Sequence, residues 1–286
     1  MSFSRPLWLE GRECRLDLSR PRIMGILNVT PDSFSDGGCF VDVERAVARA
    51  RQMENDGADL IDIGGESTRP GADVVSVQQE IDRVLPVIER LRREMALPLS
   101  IDTTKSAVAA EALRAGANFV NDISGLHFDP DMTGVVAQYR AGVFLMHTRG
   151  TPREMQANLD YQDLLSEVCA YLQRGIDLAQ AAGVSRQALA VDPGIGFAKS
   201  AQANLTLLAH LDRFHQLGCP ILLGTSRKSF IGQILDRPDP RQRVAGTLAT
   251  VALGVASGVQ IFRVHDVGEA RDAALVAWAI REERLN

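Results

Sequence analysis

Short apolar runs alternate with amphipathic stretches along almost the whole chain. Each run ends at polar or glycine-rich residues, a pattern that predicts strands buried on both faces. The predicted strands are residues 23–29, 59–63, 97–101, 118–123, 142–146, 188–191, 220–223 and 259–264. Predicted helices, most of them marked by apolar residues at helical spacing, cover residues 43–56, 77–95, 105–115, 159–182, 201–217 and 230–235.

Eight strands alternating with helices predict the α/β class and, within it, a (β/α)8 TIM barrel. An open doubly wound sheet is the weaker alternative. Apolar residues on either side of Glu10-Gly11 predict a short N-terminal β-hairpin over about residues 7–18, which would cover the bottom of the barrel. No linker or low-complexity stretch divides the chain, so residues 1–286 are expected to form a single domain.

Residues 244–262 are uncharged and long enough to raise the question of a membrane span. They are rich in alanine and interrupted by Gly246, Gly254 and Gly258. This composition favours a closely packed helix that leads into a strand.

The chain has 286 residues, of which 45% are hydrophobic, and a formal net charge of -5. This length suffices for a large core, and the acidic balance argues against nucleic acid as the main partner while leaving room for a local basic pocket. The four cysteines, Cys14, Cys39, Cys169 and Cys219, are too dispersed to suggest a zinc site or a disulfide framework. The N-terminus lacks a signal-peptide pattern, so a reducing, cytoplasmic setting is expected.

The stretch 188–199 changes character at Asp192. The residues before it are apolar, whereas the proline and two glycines after it prevent a strand or a helix from continuing. In parallel α/β proteins the strand exits face one mouth, where the chemistry is located. A carboxylate at this exit predicts a hydrogen-bond acceptor for a ligand; the alternative is a turn-forming aspartate before proline.

Other strand exits supply further short polar side chains. Asp102 and Asn121 are predicted to exchange hydrogen bonds with a flat heterocycle lying across the mouth. Asp62 and Glu66 are expected to support neighbouring groups instead of touching the ligand. For Asp122 a structural role is at least as well favoured.

Cationic residues lie at three of the strand exits. Lys228 comes just before the predicted helix 230–235, and helix N-terminal amides also attract anionic or carbonyl oxygen. Arg263 and His265 are two residues apart in a strand, so they face the same way and form a two-pronged donor suited to phosphate. Arg69 is suited to meeting an anion or stacking on a ring.

The first exit, residues 28–38, is a long polar loop. Asn28 offers an amide oxygen suited to Mg2+, and Asp32 and Asp36 would add negative charge when the loop closes. The alternative is an ordinary turn-rich loop. Together the exits present separated acceptors and a cationic side, which suits a ligand with a hydrogen-bonding ring at one end and phosphates at the other.

Five stretches resemble the dihydropteroate synthase family of pterin-binding barrels. They are residues 25–38, 64–71, 192–197, 226–229 and 263–266, in order along the chain. The resemblance implies a transferase of folate biosynthesis. Such an enzyme joins 6-hydroxymethyl-7,8-dihydropterin pyrophosphate to p-aminobenzoate and releases 7,8-dihydropteroate and pyrophosphate, with Mg2+ as cofactor.

The resemblance also implies roles for individual residues. For the pterin ring it implies contacts from Asp102, Asn121, Asp192 and Lys228, with Met146 and Phe197 along the pocket and Arg263 stacked on the ring. For the pyrophosphate and its Mg2+ it implies Asn28, Arg263 and His265. For the p-aminobenzoate site, where sulfonamides compete in this family, it implies Phe34, Thr68, Arg69, Pro70 and Ser229. Catalytic roles are implied for Asp36, Lys228, Arg263 and His265.

Two other functions share much of this pattern. One is a methyltetrahydrofolate-binding corrinoid methyltransferase, and the other is a catalytically silent pterin-binding paralogue. The first-loop motif together with residues 226–229 favours the synthase. Because barrels of this family are commonly dimers, helix 244–257 is also expected to pack against a second copy, with packing inside one chain as the alternative.

Overall fold

A ring of parallel strands surrounded by helices forms the computed structural model, which describes residues 8–30, 39–67, 71, 73–151, 153–155 and 157–285. The strands are β1 (Trp8–Gly11), β2 (Cys14–Asp17), β3 (Arg22–Asn28), β4 (Leu60–Gly64), β5 (Leu99–Asp102), β6 (Phe119–Asp122), β7 (Gly142–Met146), β8 (Leu189–Asp192), β9 (Leu222–Leu223) and β10 (Ile261–Val264). Within these residues β3 to β10 form one sheet in the order β8-β7-β6-β5-β4-β3-β10-β9. The ring closes where the N–H of Val191 in β8 donates to the carbonyl oxygen of Pro220, 2.8 Å away. The predicted barrel is confirmed, and the open sheet is wrong.

Helices follow the strands and pack on the outside of the ring. They are α1 (Cys39–Asn55), α2 (Val77–Glu94), α3 (Ser106–Ala115), α4 (Met132–Tyr139), α5 (Leu164–Ala181), α6 (Ala201–Ala209), α7 (Ser229–Leu235), α8 (Val244–Ala256) and α9 (Val267–Glu282). α5 begins later than predicted because the Asp163 carboxylate caps it by accepting the Ser166 N–H at 3.1 Å. The predicted helix 201–217 is interrupted at His210 and continues as a 3-10 helix over Leu211–Leu217.

Alternation along the strands divides the barrel interior into two layers. The lower layer, near the strand N-termini, is mostly apolar and includes Met24, Leu60, Phe119, Phe144, Ala190, Leu222 and Ile261. Buried Ser100, two residues before Asp102 on β5, is its polar member. Side chains two residues apart in a strand share a face, so the next inward residues form an upper layer at the C-terminal mouth. Most of these upper residues are polar.

The hairpin of β1 and β2 covers the bottom of the barrel, as predicted. Leu9 lies opposite Leu16 in the hairpin, and both pack into the lower layer. The Arg12 N–H donates to the carbonyl oxygen of Asn118 at 2.9 Å, and the Asn118 amide donates to the Arg12 carbonyl at 2.7 Å. These contacts cover the lower end, so a ligand has access from the upper end.

Gly142 lies where the hairpin meets β7. A Cβ at this position would lie 2.3 Å from Cδ1 of Phe119 and 2.5 Å from the Glu10 carbonyl oxygen. Gly142→Ala is therefore expected to lower the free energy of unfolding by about 1–3 kcal/mol, measured by urea denaturation. Gly134→Ala in α4 is the matched control: apart from its chain neighbours and the nearby backbone of its own helix, no described atom lies within 4 Å of its added Cβ, and it should stabilise by up to about 1 kcal/mol. Equal stability of Gly142→Ala and the parent chain would contradict this packing.

The uncharged segment 244–262 forms α8 followed by β10, as predicted. Gly254 permits the close approach of α8 to the barrel, because a Cβ there would lie 2.7 Å from Cε1 of Phe262. Among the described residues no helix combines the length and the apolar character that crossing a bilayer requires.

Candidate active site

The upper layer of the barrel collects the predicted strand-exit residues. It comprises Asp62, Asp102, Asn121, Met146, Asp192 and Arg263. In the register of neighbouring strands, Asp102 lies beside Asn121, and Met146 lies beside Asp192. All four of these side chains are buried. Residues far apart in the sequence therefore surround one opening.

Arg263 is held by two carboxylates across the mouth. Its Nε donates to Oδ2 of Asp62 and its Nη2 donates to Oδ2 of Asp102, both at 2.6 Å. Asp62 also accepts the side-chain amide of Asn121 at 2.9 Å. Asp62 has the supporting position that the sequence predicts, and the plane of the guanidinium is fixed.

The other oxygens of these two carboxylates remain open. Oδ1 of Asp62 and Oδ1 of Asp102 are buried without a hydrogen-bond partner among the described residues. Burial raises the pKa of Asp102 to about 7, against the opposing charge of Arg263, and Asp62 adds to the rise. Unpaired buried acceptors are costly, so a ligand that donates to them would be favoured.

Asp192 ends β8 and faces the same opening as Arg263. One of its oxygens accepts the Gly194 N–H at 2.7 Å. A Cβ placed on Gly224 would lie 3.8 Å from the other oxygen of Asp192 and 3.9 Å from Cβ of Arg263. Gly224 therefore lies between Asp192 and Arg263, and no side chain at this position separates them. Burial raises the pKa of Asp192 to about 6, which leaves most of the population ionised at neutral pH.

Lys228 and Phe197 form the adjoining wall. The Lys228 ammonium lies 4.2 Å from the centroid of the Phe197 ring. Burial, followed by repulsion from Arg263, lowers the pKa of Lys228 to about 8. A Cβ on Gly196 would lie 3.0 Å from Cδ of Lys228, so the glycine allows the lysine to lie across the loop. Asp192, Lys228 and Arg263 thus share one space.

Arg227 points away from this space, although it precedes Lys228. Its guanidinium donates twice to the carboxylate of Asp266, with Nε at 3.0 Å from Oδ2. Its φ of 58° turns the chain sharply between the two cations. Ser229 is exposed and begins α7.

His265 is neutral at pH 7, because burial, aided by Arg263, lowers its pKa to about 3. Its Nδ1 lies 2.9 Å from Oγ of Ser226, so Nε2 is the ring nitrogen that a ligand would contact. Arg263 already uses two of its nitrogens on carboxylates. The pair of phosphate donors inferred from the sequence therefore offers fewer N–H groups than expected. A phosphate would contact only the remaining N–H groups of Arg263 and the neutral imidazole of His265.

Asn28 is the last residue of β3 and is half-buried beside β4. Its amide oxygen would lie 3.8 Å from a Cβ on Gly64, which also borders Asp102. In the described part of the chain no three His, Cys, Asp or Glu side chains are close enough to hold a metal ion by themselves. This donor set fits Mg2+ only if most ligands come from substrate phosphate and water, which is a common arrangement for this ion.

Several predicted site residues lie outside the described residues. They are Asp32, Phe34, Asp36, Thr68, Arg69 and Pro70. Their roles remain predictions.

Three polar residues near the mouth have structural contacts. The Asp122 carboxylate accepts the N–H groups of Ser124 and Leu126 at 2.8 and 3.0 Å, in agreement with a structural role. Glu66 pairs with Lys105 at 2.7 Å, in agreement with a supporting role. Lys199, whose side chain is buried near the mouth, is not among the predicted site residues; its one signal in the sequence is that it is one of three lysines among 31 lysine and arginine residues.

Known proteins resemble this chain in both sequence and fold. The model of the family described as "Pterin binding enzyme" matches residues 24–265. The dihydropteroate synthase of Synechocystis sp. is 51% identical over 261 residues, covering 91% of this chain and 90% of that protein.

Solved structures agree with this assignment. Dihydropteroate synthase from Yersinia pestis, in a sulfonamide complex, is 46% identical with a TM-score of 0.90, covering 96% of this chain and 99% of that one. The enzyme of Xanthomonas albilineans with 7,8-dihydropteroate is 44% identical with a TM-score of 0.85, covering 95% and 98%. Identity of this extent over nearly the full length of each protein, on the same barrel, shows that the chain belongs to the dihydropteroate synthase family of pterin-binding enzymes.

Proposed function

We propose that the barrel mouth joins 6-hydroxymethyl-7,8-dihydropterin pyrophosphate to p-aminobenzoate, giving 7,8-dihydropteroate and pyrophosphate. The observation that carries the proposal is the convergence of Asp192, Lys228 and Arg263 on one opening. The acceptor Asp192 suits a ring rich in hydrogen-bond donors, and the cations Lys228 and Arg263 beside it suit an anionic leaving group on the same molecule. The Xanthomonas albilineans relative with 7,8-dihydropteroate supports this reading.

The pterin ring is proposed to lie across the upper layer. Its N–H groups donate to Asp192 and to the open oxygen of Asp102, and Asn121 adds a further contact. Buried Met146 and the ring of Phe197 line the sides, Lys228 donates to ring acceptors, and the fixed plane of Arg263 stacks on one face. The unpaired oxygens among the described residues favour this arrangement, because a bound ring would satisfy them.

The chemistry follows from the charges that develop. Breaking the bond between the pterin methylene and the pyrophosphate leaves positive charge on the pterin and extra negative charge on the leaving group. Arg263 and the N–H of neutral His265 are proposed to stabilise the leaving oxygens. Mg2+ would be held by Asn28 together with the pyrophosphate, where it supplies charge neutralisation.

The second substrate is proposed to approach from the loop side of the mouth. Phe34, Thr68, Arg69, Pro70 and Ser229 would shape the p-aminobenzoate site, and Asp36 would stabilise the pterin cation. The aniline nitrogen of p-aminobenzoate attacks the methylene carbon of the pterin directly, so no enzyme nucleophile is required. The sulfonamide complex of the Yersinia pestis relative supports a site where such analogues compete.

The proposed function is tested by pyrophosphate release with purified protein. Release should require both the pterin pyrophosphate and p-aminobenzoate, yield 7,8-dihydropteroate in equal amount, and fall when Mg2+ is chelated. Release without p-aminobenzoate, or none with both substrates, would contradict the proposal. A corrinoid methyltransferase or a silent paralogue would give no substrate-dependent release.

A homodimer is also proposed, in a cytoplasmic setting. Large apolar side chains are exposed on three adjacent helices: Ile234 on α7, Leu253 on α8, and Val276 and Ile280 on α9. Their exposures, from 60% to 73%, are high for large apolar side chains on neighbouring helices, which favours a covering partner.

Charges introduced into this apolar face should separate the copies. Light scattering is expected to give twice the chain mass for the parent and the single mass for Leu253→Glu with Ile280→Glu. Leu178→Glu is the matched control, because Leu178 is 43% exposed but lies on α5. A parent chain of single mass would contradict the dimer.

A further inference from the structure

The loop between β8 and α6 contains three residues with a left-handed backbone. Gly194 and Gly196 have φ angles of 70° and 84°, and Ala198 has a φ of 51°. Glycine adopts this conformation without strain, whereas an alanine disfavours it by about tenfold in population. Backbone strain of this kind persists only where surrounding contacts hold it, and it is concentrated at functional sites. The shape of this loop therefore depends on contacts that offset the strain at Ala198.

The same loop connects two side chains of the proposed ring pocket. The Gly194 N–H donates to Oδ1 of Asp192 at 2.7 Å, and the Phe197 N–H donates to the Gly194 carbonyl oxygen at 3.1 Å. The ring of Phe197 lies 4.2 Å from the Lys228 ammonium. Ala198 comes directly after Phe197, so a change of backbone conformation at Ala198 would move this ring relative to Asp192.

A hydroxyl from the neighbouring loop contacts the strained residue. The Tyr161 hydroxyl, in the loop between β7 and α5, donates to the Ala198 carbonyl oxygen at 2.8 Å. Burial raises the pKa of Tyr161 to about 12, so the hydroxyl keeps its proton at neutral pH. The preceding peptide is held separately, because Nζ of Lys199 donates to the Phe197 carbonyl oxygen at 2.8 Å. The tyrosine bond thus fixes the direction of the Ala198 carbonyl group, which a relaxed backbone would rotate away.

Tyr161 is itself fixed to the barrel framework. The Arg149 guanidinium lies 3.7 Å from the centroid of the Tyr161 ring and donates to the Asp160 carbonyl oxygen at 2.6 Å. Arg149 also pairs with Glu167 on α5, and Glu167 accepts the Gln162 N–H at 2.8 Å. The chain on either side of Tyr161 is therefore tied to the segment after β7 and to the first turn of α5, which gives the hydroxyl a rigid support.

We propose that Tyr161 is a positioning residue for pterin binding: its hydroxyl holds Ala198 in the left-handed conformation and thereby places Phe197 in the wall of the ring pocket. The inference rests on the proposed function, because this wall has its use only if a pterin occupies the pocket. Tyr161 acts through Phe197 and does not contact the substrate. The p-aminobenzoate site is proposed on other loops, so the effect of Tyr161 should be confined to the pterin substrate.

Tyr161→Phe removes the hydroxyl and keeps the ring. We expect this variant to bind 6-hydroxymethylpterin about fivefold more weakly, the equivalent of one ordinary hydrogen bond, as measured by calorimetry. The KM for the pterin pyrophosphate should rise by a similar factor, while kcat and the KM for p-aminobenzoate stay within about twofold of the parent. A residue that only stabilises the fold would not separate the two substrates in this way.

Ala198→Gly tests whether the hydroxyl acts through the strained backbone. Glycine adopts the left-handed conformation without support, so adding Tyr161→Phe to Ala198→Gly should weaken pterin binding by less than about twofold. Ala198→Gly alone should bind the pterin within about twofold of the parent. An undiminished fivefold loss in the glycine background would overturn the inference.

Tyr171→Phe is the matched control. Its hydroxyl donates to the Ser124 carbonyl oxygen at 2.6 Å, so this variant also loses one bond from a partly buried tyrosine to a backbone carbonyl, but in the loop after β6. Both tyrosine variants should lower the melting temperature by a few degrees. Only Tyr161→Phe should lose affinity for the pterin.

Three results would overturn the inference while the proposed function stands: parent-like pterin affinity in Tyr161→Phe, an equal loss of affinity in Tyr171→Phe, or an equal rise in the KM values of both substrates. A parent chain that neither binds the pterin nor forms dihydropteroate would overturn the proposed function, and the inference with it.

Discussion

Arg263→Ala is expected to lower kcat/KM for dihydropteroate formation by about 10²–10³. The guanidinium is fixed by hydrogen bonds of 2.6 Å to both Asp62 and Asp102. Its loss removes the proposed stacking on the pterin and a cation beside the leaving pyrophosphate. Initial rates with both substrates, at saturating and limiting pterin pyrophosphate, measure the effect.

This variant should also lose stability, because two buried carboxylates lose their partner. We expect the free energy of unfolding to fall by about 3–5 kcal/mol. Arg263→Lys is therefore the matched variant: it keeps one positive charge but not the planar fork that reaches two carboxylates. It should fold more stably than Arg263→Ala and still lose most activity. Parent-like turnover in Arg263→Lys would contradict a role for the planar group.

Asp192→Asn is expected to weaken pterin binding by about 10²-fold. The amide of asparagine has almost the same shape, but its NH2 group is a donor and its oxygen carries no charge. The substrate N–H groups would then face either another donor or a weaker acceptor. The buried setting increases the cost, since water cannot replace the lost contact. Calorimetry with 6-hydroxymethylpterin measures the change directly.

Asp122→Asn is the matched control for this substitution. Its carboxylate accepts the N–H groups of Ser124 and Leu126. Asp122 follows the inward-facing Asn121 in β6, so its side chain lies on the opposite face of the strand. It should lower the melting temperature and leave pterin affinity within about threefold of the parent. Equal loss of affinity in both variants would mean that Asp192 acts through stability alone.

The succession of apolar runs and amphipathic stretches carried most of the structural prediction. Each apolar run predicted a buried strand, and the polar residues that end it predicted the side chains of the mouth. Ala190 and Asp192 show the outcome: Ala190 lies in the lower layer, and Asp192, two residues later, reaches the mouth. The barrel and most of the mouth could be predicted because both patterns can be seen in the sequence.

Orientation inside loops could not be predicted in the same way. Arg227 and Lys228 are adjacent cations, yet one pairs with Asp266 and the other faces the mouth, because the backbone turns at Arg227. Lys199 is hidden by a loop whose inward fold depends on contacts with His147, 52 residues earlier in the chain. Long-range contacts of this kind leave no local pattern.

The decisive measurement is a crystal structure of the chain with 7,8-dihydropteroate. We expect the pterin ring in the upper layer, with its N–H groups at hydrogen-bond distance, about 2.7–3.2 Å, from Asp192 and Asp102, and with Lys228 and Arg263 in contact with the same ring. A ligand bound elsewhere, or a ring that leaves Asp192, Lys228 and Arg263 untouched, would contradict it.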